Sequence, residues 1–210
     1  MSSLESLDNT SIDKMMQKAV KFHGHSCPGL AIGLVASKIA LEYSERSKDE
    51  ELVAIVENDA CGVDAIQALT GCTYGKGNLI HKDYGKSVYT FYYRDSGNAL
   101  RLSLKPEVFS SEDNDSLKRD ELRDKVRNGT AIENELAEHK KLREEHTKAI
   151  LATGKELFNI KKIEMAPPEM ARFFDNILCA KCGEPVMETR VREKDGKKFC
   201  IPCFNELKLS

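Results

Sequence analysis

Apolar residues near the start of the chain recur at the spacing of an amphipathic helix. The pattern predicts a first helix over about residues 11–22, whose apolar face consists of Ile12, Met15, Met16, Ala19 and Val20. The next stretch, about 28–45, is apolar around most of its circumference, which is typical of a buried helix. Its small residues would let another backbone or a ligand approach closely. We therefore expect this second helix to lie at the centre of the fold.

Short runs of apolar and β-branched residues follow, separated by turn signals. They predict three strands, at 51–59, 87–93 and 99–104. The last two should form an antiparallel hairpin around the turn at 95–98. Tyr89, Phe91 and Tyr93 would then share one face of the sheet, because side chains alternate along a strand. We interpret this aromatic face as core rather than as a platform for stacking bases.

The chain then becomes strongly charged. Two exposed helices are predicted, at about 112–127 and 131–153. The second has only a thin apolar seam, formed by Ile132, Leu136, Ala149 and Ile150. Such a helix is typical of a solvated arm or a dimer strut. We therefore place His139 and His146, which lie on this helix, outside the active site.

The composition of the 210-residue chain, 40% hydrophobic and 31% charged, is that of an ordinary globular protein. Its net charge of −2 favours neither a nucleic-acid nor a membrane specialist. No stretch approaches the ~18 apolar residues needed to span a bilayer, and the polar start of the chain lacks the basic character of a signal peptide. We expect a cytoplasmic protein with no membrane partner, whose seven cysteines serve metal or redox chemistry.

The most specific motif is a pair of cysteine pairs near the C-terminus, Cys179-x2-Cys182-x17-Cys200-x2-Cys203. Four thiolates complete the tetrahedral coordination of one structural zinc ion, and so small a module has too little core to fold without it. The sequence therefore predicts a zinc ribbon with a hairpin turn at Asp195-Gly196. Basic residues on the hairpin are interrupted by acidic ones, so we favour a protein contact for the ribbon over nucleic-acid binding.

These elements predict an α+β fold, in which an antiparallel sheet packs against helices and carries a long charged helical arm and a small C-terminal zinc ribbon. A last strand at 161–165 and the Pro167-Pro168 linker mark the boundary of the ribbon. The predicted domains are a core with its arm at 1–166 and a four-cysteine zinc ribbon at 167–210.

A second group of metal-binding side chains lies in His23-Gly24-His25-Ser26-Cys27-Pro28. Pro28 is suited to the first position of a helix, which places Cys27 at its N-terminal cap. We expect the helix dipole to lower the pKa of this thiol, and a thiolate can ligate a metal or attack a substrate. The alternative is that the histidines simply cap or pack at a helix junction.

Cys61 occupies a similar position before a third predicted helix at about 61–71, which Gly71 would cap. Cys72 lies eleven residues further on, about 16 Å away along a continuous helix, so the two cysteines cannot ligate one ion. We favour Cys61 as the partner of the first cluster, with Asp59 or Asp64 beside it. Cys72 is then a buried cysteine or lies at the pocket edge.

Lys76 lies between two glycines in Thr73-Tyr74-Gly75-Lys76-Gly77. The pattern suggests a loop that cradles an anion, although it lacks the spacing of a phosphate-binding P-loop. A solvated turn residue is an equally good interpretation of Lys76.

Three segments resemble the family of the E-type component of formylmethanofuran dehydrogenase, in its form with a C-terminal zinc ribbon. They are Phe22-His-Gly-His-Ser-Cys-Pro-Gly29, Asn58-Asp-Ala-Cys-Gly-Val-Asp-Ala-Ile-Gln67 and the region from Thr70-Gly-Cys-Thr-Tyr-Gly-Lys-Gly to Asp83-Tyr-Gly-Lys86. The resemblance implies an α+β core, a homodimer and a metal-binding cavity formed by the His and Cys motifs. It also implies association with the molybdenum or tungsten enzyme that reduces carbon dioxide to a formyl group in methanogenesis.

On this resemblance, the family's functional positions correspond to His23, His25, Cys27, Cys61, Asp64, Gln67, Cys72 and Lys76. We hypothesise that His25 and Cys27, with Cys61 or His23, hold a second transition metal, zinc by preference, with one open position. Cys27, Asp64 and Lys76 are the candidate catalytic groups. Asp64 would orient a ligand or water, Lys76 would neutralise an anion, and Gln67 would be a further ligand contact.

Several functions remain open at this point. The first is an accessory component of formylmethanofuran dehydrogenase that binds a small anionic ligand. The second is a carrier of a metal or of an oxyanion such as molybdate. The third is a zinc-ribbon regulator that binds nucleic acid or a partner protein. A thiol–disulfide function of Cys27 with Cys61 is a further alternative.

Overall fold

The computed structural model describes residues 9–108 and 114–209. The chain divides into two compact units, Met1–Met170 and Ala171–Ser210. This division lies four residues beyond the predicted boundary at 166.

Unit 1 begins with the predicted helices, strand and third helix. They are α1 (Asn9–His23), α2 (Pro28–Leu41), β1 (Leu52–Val56) and α3 (Gly62–Thr70). The second helix is shorter than the sequence pattern predicted. Gly71 takes the left-handed conformation at the end of α3, with φ 78°, and its amide bonds to the Gln67 carbonyl. Glycine adopts this conformation without the steric cost that a Cβ brings, so α3 ends where predicted.

The sheet of unit 1 adds β2 (Leu79–His81), β3 (Val88–Tyr93), β4 (Asn98–Leu104) and β5 (Phe158–Ile163). Its strand order is β2-β1-β3-β4-β5. The pairs β1–β3, β3–β4 and β4–β5 are antiparallel, as predicted. The β1–β2 pair is parallel, because α3 carries the chain back across the sheet between these strands.

The main core lies between α2 and one face of this sheet. Tyr89, Phe91 and Tyr93 belong to it together with Val35 and Ile39 of α2. The prediction that these aromatics share a core face is confirmed. The α2 helix is buried along most of its length, as its apolar circumference predicted.

The beginnings of α2 and α3 lie close together. A Cβ built on Gly29 would be 3.2 Å from the Cβ of Cys61. The Gly33 backbone of α2 lies against the Gly62 backbone at the start of α3. This contact brings Cys27, before α2, and Cys61, before α3, to the same region of the unit.

The charged arm consists of α4 (Asn114–Arg127) and α5 (Glu133–Thr153). Positions 112 and 113 of the predicted first arm helix lie outside the described residues. Ion pairs of Lys125 with Glu121 and Glu135 link the two helices. The C-terminal half of α5 buries Thr147 and Ile150, so it is anchored to the core rather than wholly solvated. Across the described parts of the chain, no helix combines the length and apolar character needed to cross a bilayer.

Unit 2 contains two small hairpins and a helix. They are β6 (Asn176–Leu178), β7 (Pro185–Met187), β8 (Val191–Lys194), β9 (Lys197–Cys200) and α6 (Ile201–Leu209). The β8–β9 turn falls at Asp195 and Gly196, with φ 52° and 69°, as predicted. The helix α6 had not been predicted, and Cys203 lies in its first turn.

Candidate metal centres

The four cysteines of unit 2 converge. Their sulfur atoms lie within 4.8 Å of one another, and Cys182 Sγ is 3.9 Å from Cys200 Sγ. Thiolates bound about 2.3 Å from a tetrahedral zinc ion are separated by about 3.8 Å. The donor set and its spacing therefore fit one structural zinc ion.

The protonation of these thiols also favours a cation among them. Backbone amide hydrogen bonds, first from Cys182 and then from Cys200, lower the pKa of the Cys179 thiol to about 6. The neighbouring thiol of Cys200 and burial raise the pKa of Cys203 to about 12. Four thiolates cannot coexist at this separation without a positive charge between them, which Zn²⁺ supplies.

The second cluster lies at the junction of α1 and α2. His23, His25 and Cys27 each offer a ligand atom, and these atoms lie within 4.8 Å of one another. The rings of His23 and His25 are 4.5 Å apart, and His23 Nε2 is 3.8 Å from Cys27 Sγ. Nitrogen and sulfur ligands of one tetrahedral zinc ion are separated by about 3.6 Å, so the cluster fits such an ion.

Asp64 holds the ring of His23 from the opposite side. Its Oδ2 lies 2.7 Å from His23 Nδ1, which leaves Nε2 directed toward Cys27. A carboxylate on the far nitrogen is the usual support for a metal-binding histidine, because it fixes both the tautomer and the ring orientation. The geometry thus gives Asp64 the orienting position expected of it.

The expectation of a low pKa for Cys27 is wrong for the thiol without a metal. The Leu30 amide donates to Cys27 Sγ at 3.4 Å, as a helix N-terminus should. Burial is the larger effect and raises the pKa of Cys27, and the nearby Cys61 thiol raises it further. The helix begins beneath the thiol as predicted, but the apolar surroundings outweigh its dipole.

The two remaining cysteines of unit 1 occupy different environments. Cys61 is partly buried and close enough to Cys27 to affect its pKa, so it adjoins the cluster of His23, His25 and Cys27. Its role as a metal ligand stays a prediction. Cys72 is fully buried in the main core, and its thiol donates to the Leu52 carbonyl at 3.2 Å. Burial raises the pKa of Cys72 to about 11, which suits a structural thiol.

Lys76 and Gln67 make local contacts instead of the ligand contacts expected of them. Lys76 Nζ donates to the carbonyls of Ser47, Lys48 and Asp49, at 3.5, 3.2 and 3.0 Å. Gln67 Oε1 accepts the Tyr74 amide at 3.2 Å. An ammonium group has three donor hydrogens, and these carbonyls use all of them. Lys76 therefore ties the loop before β1 to the loop before β2, and we withdraw its role as an anion contact.

Replacing Lys76 with methionine tests this structural role. We expect a loss of about 1–2 kcal/mol in unfolding free energy, since charged hydrogen bonds are lost but are partly exposed to solvent. We expect the metal content to stay unchanged. Urea unfolding followed by tyrosine fluorescence would measure the loss, with Lys82→Met at an exposed lysine as the control. Unchanged stability together with weakened anion binding would restore the original interpretation.

One residue near the cluster was missed by the sequence analysis. The positive charge of Arg143, on α5, acts to lower the pKa of Cys27. His139, Arg143 and His146 line one cleft beside Pro28, although neither histidine joins the metal-binding cluster. Their i, i+4, i+7 spacing was available as a signal, but the charged composition of the helix suggested only a solvated face.

Comparison with known proteins agrees with this architecture. The family described as "FmdE, Molybdenum formylmethanofuran dehydrogenase operon" matches residues 22–159, and the prokaryotic dksA/traR C4-type zinc finger matches residues 174–208. A crystal structure of an FmdE-like protein of tungsten formylmethanofuran dehydrogenase, from Syntrophus aciditrophicus, has the same fold. It superposes with a TM-score of 0.63 at 23% identity, covering 93% of this chain and 92% of that one.

A relative from Archaeoglobus fulgidus is named "Probable S-adenosyl-L-methionine-binding protein". It is 33% identical over 209 residues, which cover 95% of this chain and 55% of the relative. The chain thus spans about half the length of this relative. Because the FmdE match extends over more than half of the chain, from the His/Cys cluster to the last strand of the sheet, the protein belongs to the FmdE family and carries a C4-type zinc finger.

Proposed function

We propose that this FmdE-family protein binds a second transition metal, zinc by preference, through His23, His25 and Cys27. The observation that carries this proposal is the Asp64–His23 contact of 2.7 Å, which leaves Nε2 of the imidazole directed toward the thiol. An isolated histidine at a helix junction needs no such support. A histidine that must present one nitrogen to a metal does.

The cluster suits a reactive site better than a structural one. Three protein ligands leave one tetrahedral position for water or substrate, and a metal there would supply Lewis acidity. His25 is exposed, so the open side can be reached from solvent. Asp64 keeps the proton on Nδ1 of His23, and the partly buried Cys61 is placed to complete the ligand set or to adjoin a bound molecule.

The biological role that we propose is that of an accessory component of formylmethanofuran dehydrogenase in carbon dioxide reduction. Family membership supports this role, as does the name of the structural relative. We propose that the protein acts as a homodimer and associates with subunits of that enzyme. Co-purification of a tagged chain from a native host would identify this association.

Metal analysis tests the proposed site. Anaerobically purified full-length protein should contain two metal ions per chain. Cys27→Ser should contain one, because it removes a ligand of the His/Cys cluster only. Cys72→Ser is the matched control: it also removes a buried thiol of unit 1, but one outside both clusters, and should keep both ions. A wild-type content of one zinc per chain, unchanged in Cys27→Ser, would refute the proposal.

Asp64→Ala should weaken binding of the second metal about 10–100-fold, because His23 loses the group that fixes its ring and tautomer. Competition with a chelator of known affinity would measure the change. Asp59→Ala replaces an exposed carboxylate just before the same helix and should bind metal as wild type does. Equal affinities in Asp64→Ala and Asp59→Ala would show that Asp64 does not support a ligand.

Binding of S-adenosylmethionine is a second candidate function. The similarity to the Archaeoglobus fulgidus protein along nearly the whole of this chain favours it. Calorimetric titration of the metal-loaded protein with S-adenosylmethionine tests it. Micromolar binding would support the candidate, and no heat at millimolar ligand would exclude it.

A further inference from the structure

A cleft of about 330 Å³ lies in unit 1 beside the His/Cys cluster. We call it the α4/α5 cleft, because α4 contributes Arg119, Asp120 and Arg123 to its wall and α5 contributes His139, Arg143 and His146. Pro28, the first residue of α2, closes it on the side of Cys27. Its volume is at the lower end of the ~300–1,000 Å³ range of small-molecule sites.

The wall of this cleft is strongly cationic. Three guanidinium groups face one carboxylate, Asp120, and that carboxylate already accepts from Arg123 at 2.9 Å. Within the described ranges 9–108 and 114–209, Arg119 has no ion-pair partner. The two histidines can add N–H donors. Like charges gathered in one cleft repel one another, so this arrangement is stable only if something negative compensates them.

Arg143 gives an independent indication of a ligand. Its Nε atom is buried, and in the part of the chain that the structure describes this atom has no hydrogen-bond partner. A buried donor without an acceptor costs about 1–3 kcal/mol, so such groups are rare unless a ligand or water satisfies them. The guanidinium lies between the cleft and Cys27, whose thiol feels its charge.

We propose that the α4/α5 cleft binds a small organic anion through a carboxylate or phosphate group held by Arg143 and Arg119. The planar guanidinium fork matches both groups and can donate two parallel hydrogen bonds to either. The anion lies beside Pro28, so the remainder of the molecule extends toward the His/Cys cluster. The inference rests on the proposed function in this respect only: the anion is the part of a substrate that the protein grips while the reacting part faces the metal.

Calorimetric titration of the full chain at low ionic strength tests the proposal, with inorganic phosphate and succinate as probes in separate arms. At least one of them should bind with a millimolar or lower Kd, and the tighter of the two identifies the preferred anion. Arg143→Met and Arg119→Gln should each weaken that binding ten-fold or more. Arg127→Gln, which removes a charge from the exposed end of α4, should leave it within two-fold. Arg119 is less buried than the core residues, so its variant remains informative if Arg143→Met is unstable.

Cys27→Ser separates this inference from the proposed function. If the variant lacks the second metal but still binds the anion through the arginines, the cleft recognises the anion by itself. If the wild-type protein proves to have no second metal, arginine-dependent binding still supports the cleft. Two results would overturn it: no binding of either probe to a folded, metal-loaded protein, or binding that is lost in Cys27→Ser yet unchanged in both arginine variants.

Discussion

Replacing Cys200 with serine should remove one zinc ion per chain and unfold unit 2, while unit 1 remains folded. The apolar cluster of unit 2 is small: Phe199 and three of the cysteines are buried, with Val186, Phe204 and Leu207 packed around them. A core of this size cannot offset the conformational entropy of about forty residues, which costs about 1–2 kcal/mol for each backbone unit. Zinc binding contributes about 10–16 kcal/mol in small zinc modules, so its loss decides whether unit 2 folds.

Elemental analysis and limited proteolysis would measure this result. We expect rapid cleavage in the region 171–210 of Cys200→Ser and no change in unit 1. The chain has six tyrosines and no tryptophan, and all the tyrosines belong to unit 1, so tyrosine fluorescence reports on that unit alone. Cys72→Ser is the control, with unchanged zinc content and an intact unit 2. A protease-resistant unit 2 in zinc-free Cys200→Ser would contradict the prediction.

The sequence predicted well those features that depend on residues close together along the chain. The two cysteine pairs, the Asp195-Gly196 turn and the Gly71 cap each require particular residue types at fixed short spacings. The three residues His23, His25 and Cys27 lie within one turn between two helices, so their convergence was readable before the fold was known. Local geometry restricts such segments to few conformations.

Features that depend on distant packing were not predictable in the same way. The pKa of Cys27 reflects the side chains that bury it, most of which are remote in sequence. Lys76 meets carbonyls of residues 47–49, almost thirty positions earlier. The strand Leu79–His81 is only three residues long and pairs in parallel with β1, so its sequence carries too weak a signal to separate it from a loop.

The charged arm illustrates the same limit at the candidate site. Arg119 and Arg143 lie on different helices, and only the pairing of α4 with α5 brings them to one cleft. A charged stripe on a single helix is usually a solvated face, and that interpretation holds for most of α4. What distinguishes Arg143 is the burial of its Nε atom, which no helical periodicity reveals.

The meeting of Cys27 and Cys61 depends on the crossing of α2 and α3, which Gly33 makes possible. A Cβ placed on Gly33 would lie 2.5 Å from Gly62 Cα and 2.6 Å from Gly62 C. Non-bonded carbon atoms are normally about 3.5–4.0 Å apart, and here the obstacle is backbone that cannot rotate away. On the other side of Gly62, the position of a Cβ would be 2.7 Å from the hydroxyl of the buried Tyr89. The α3 helix therefore has little room to retreat from a bulkier α2.

Gly33→Ala should consequently lower the unfolding free energy of unit 1 by about 3 kcal/mol, which is the cost of overpacking where the surroundings cannot yield. Urea unfolding followed by tyrosine fluorescence would measure the change as a lower midpoint at similar slope. Gly75→Ala is the matched control, because nothing lies within 4 Å of its Cβ position and its φ is not positive; it should be neutral or slightly stabilising. If Gly33→Ala instead unfolds at the same urea concentration as wild type, the two helices do not cross as closely as we describe. If it is destabilised yet folded, α3 must have moved, and the separation of Cys61 from Cys27 should appear as weaker binding of the second metal.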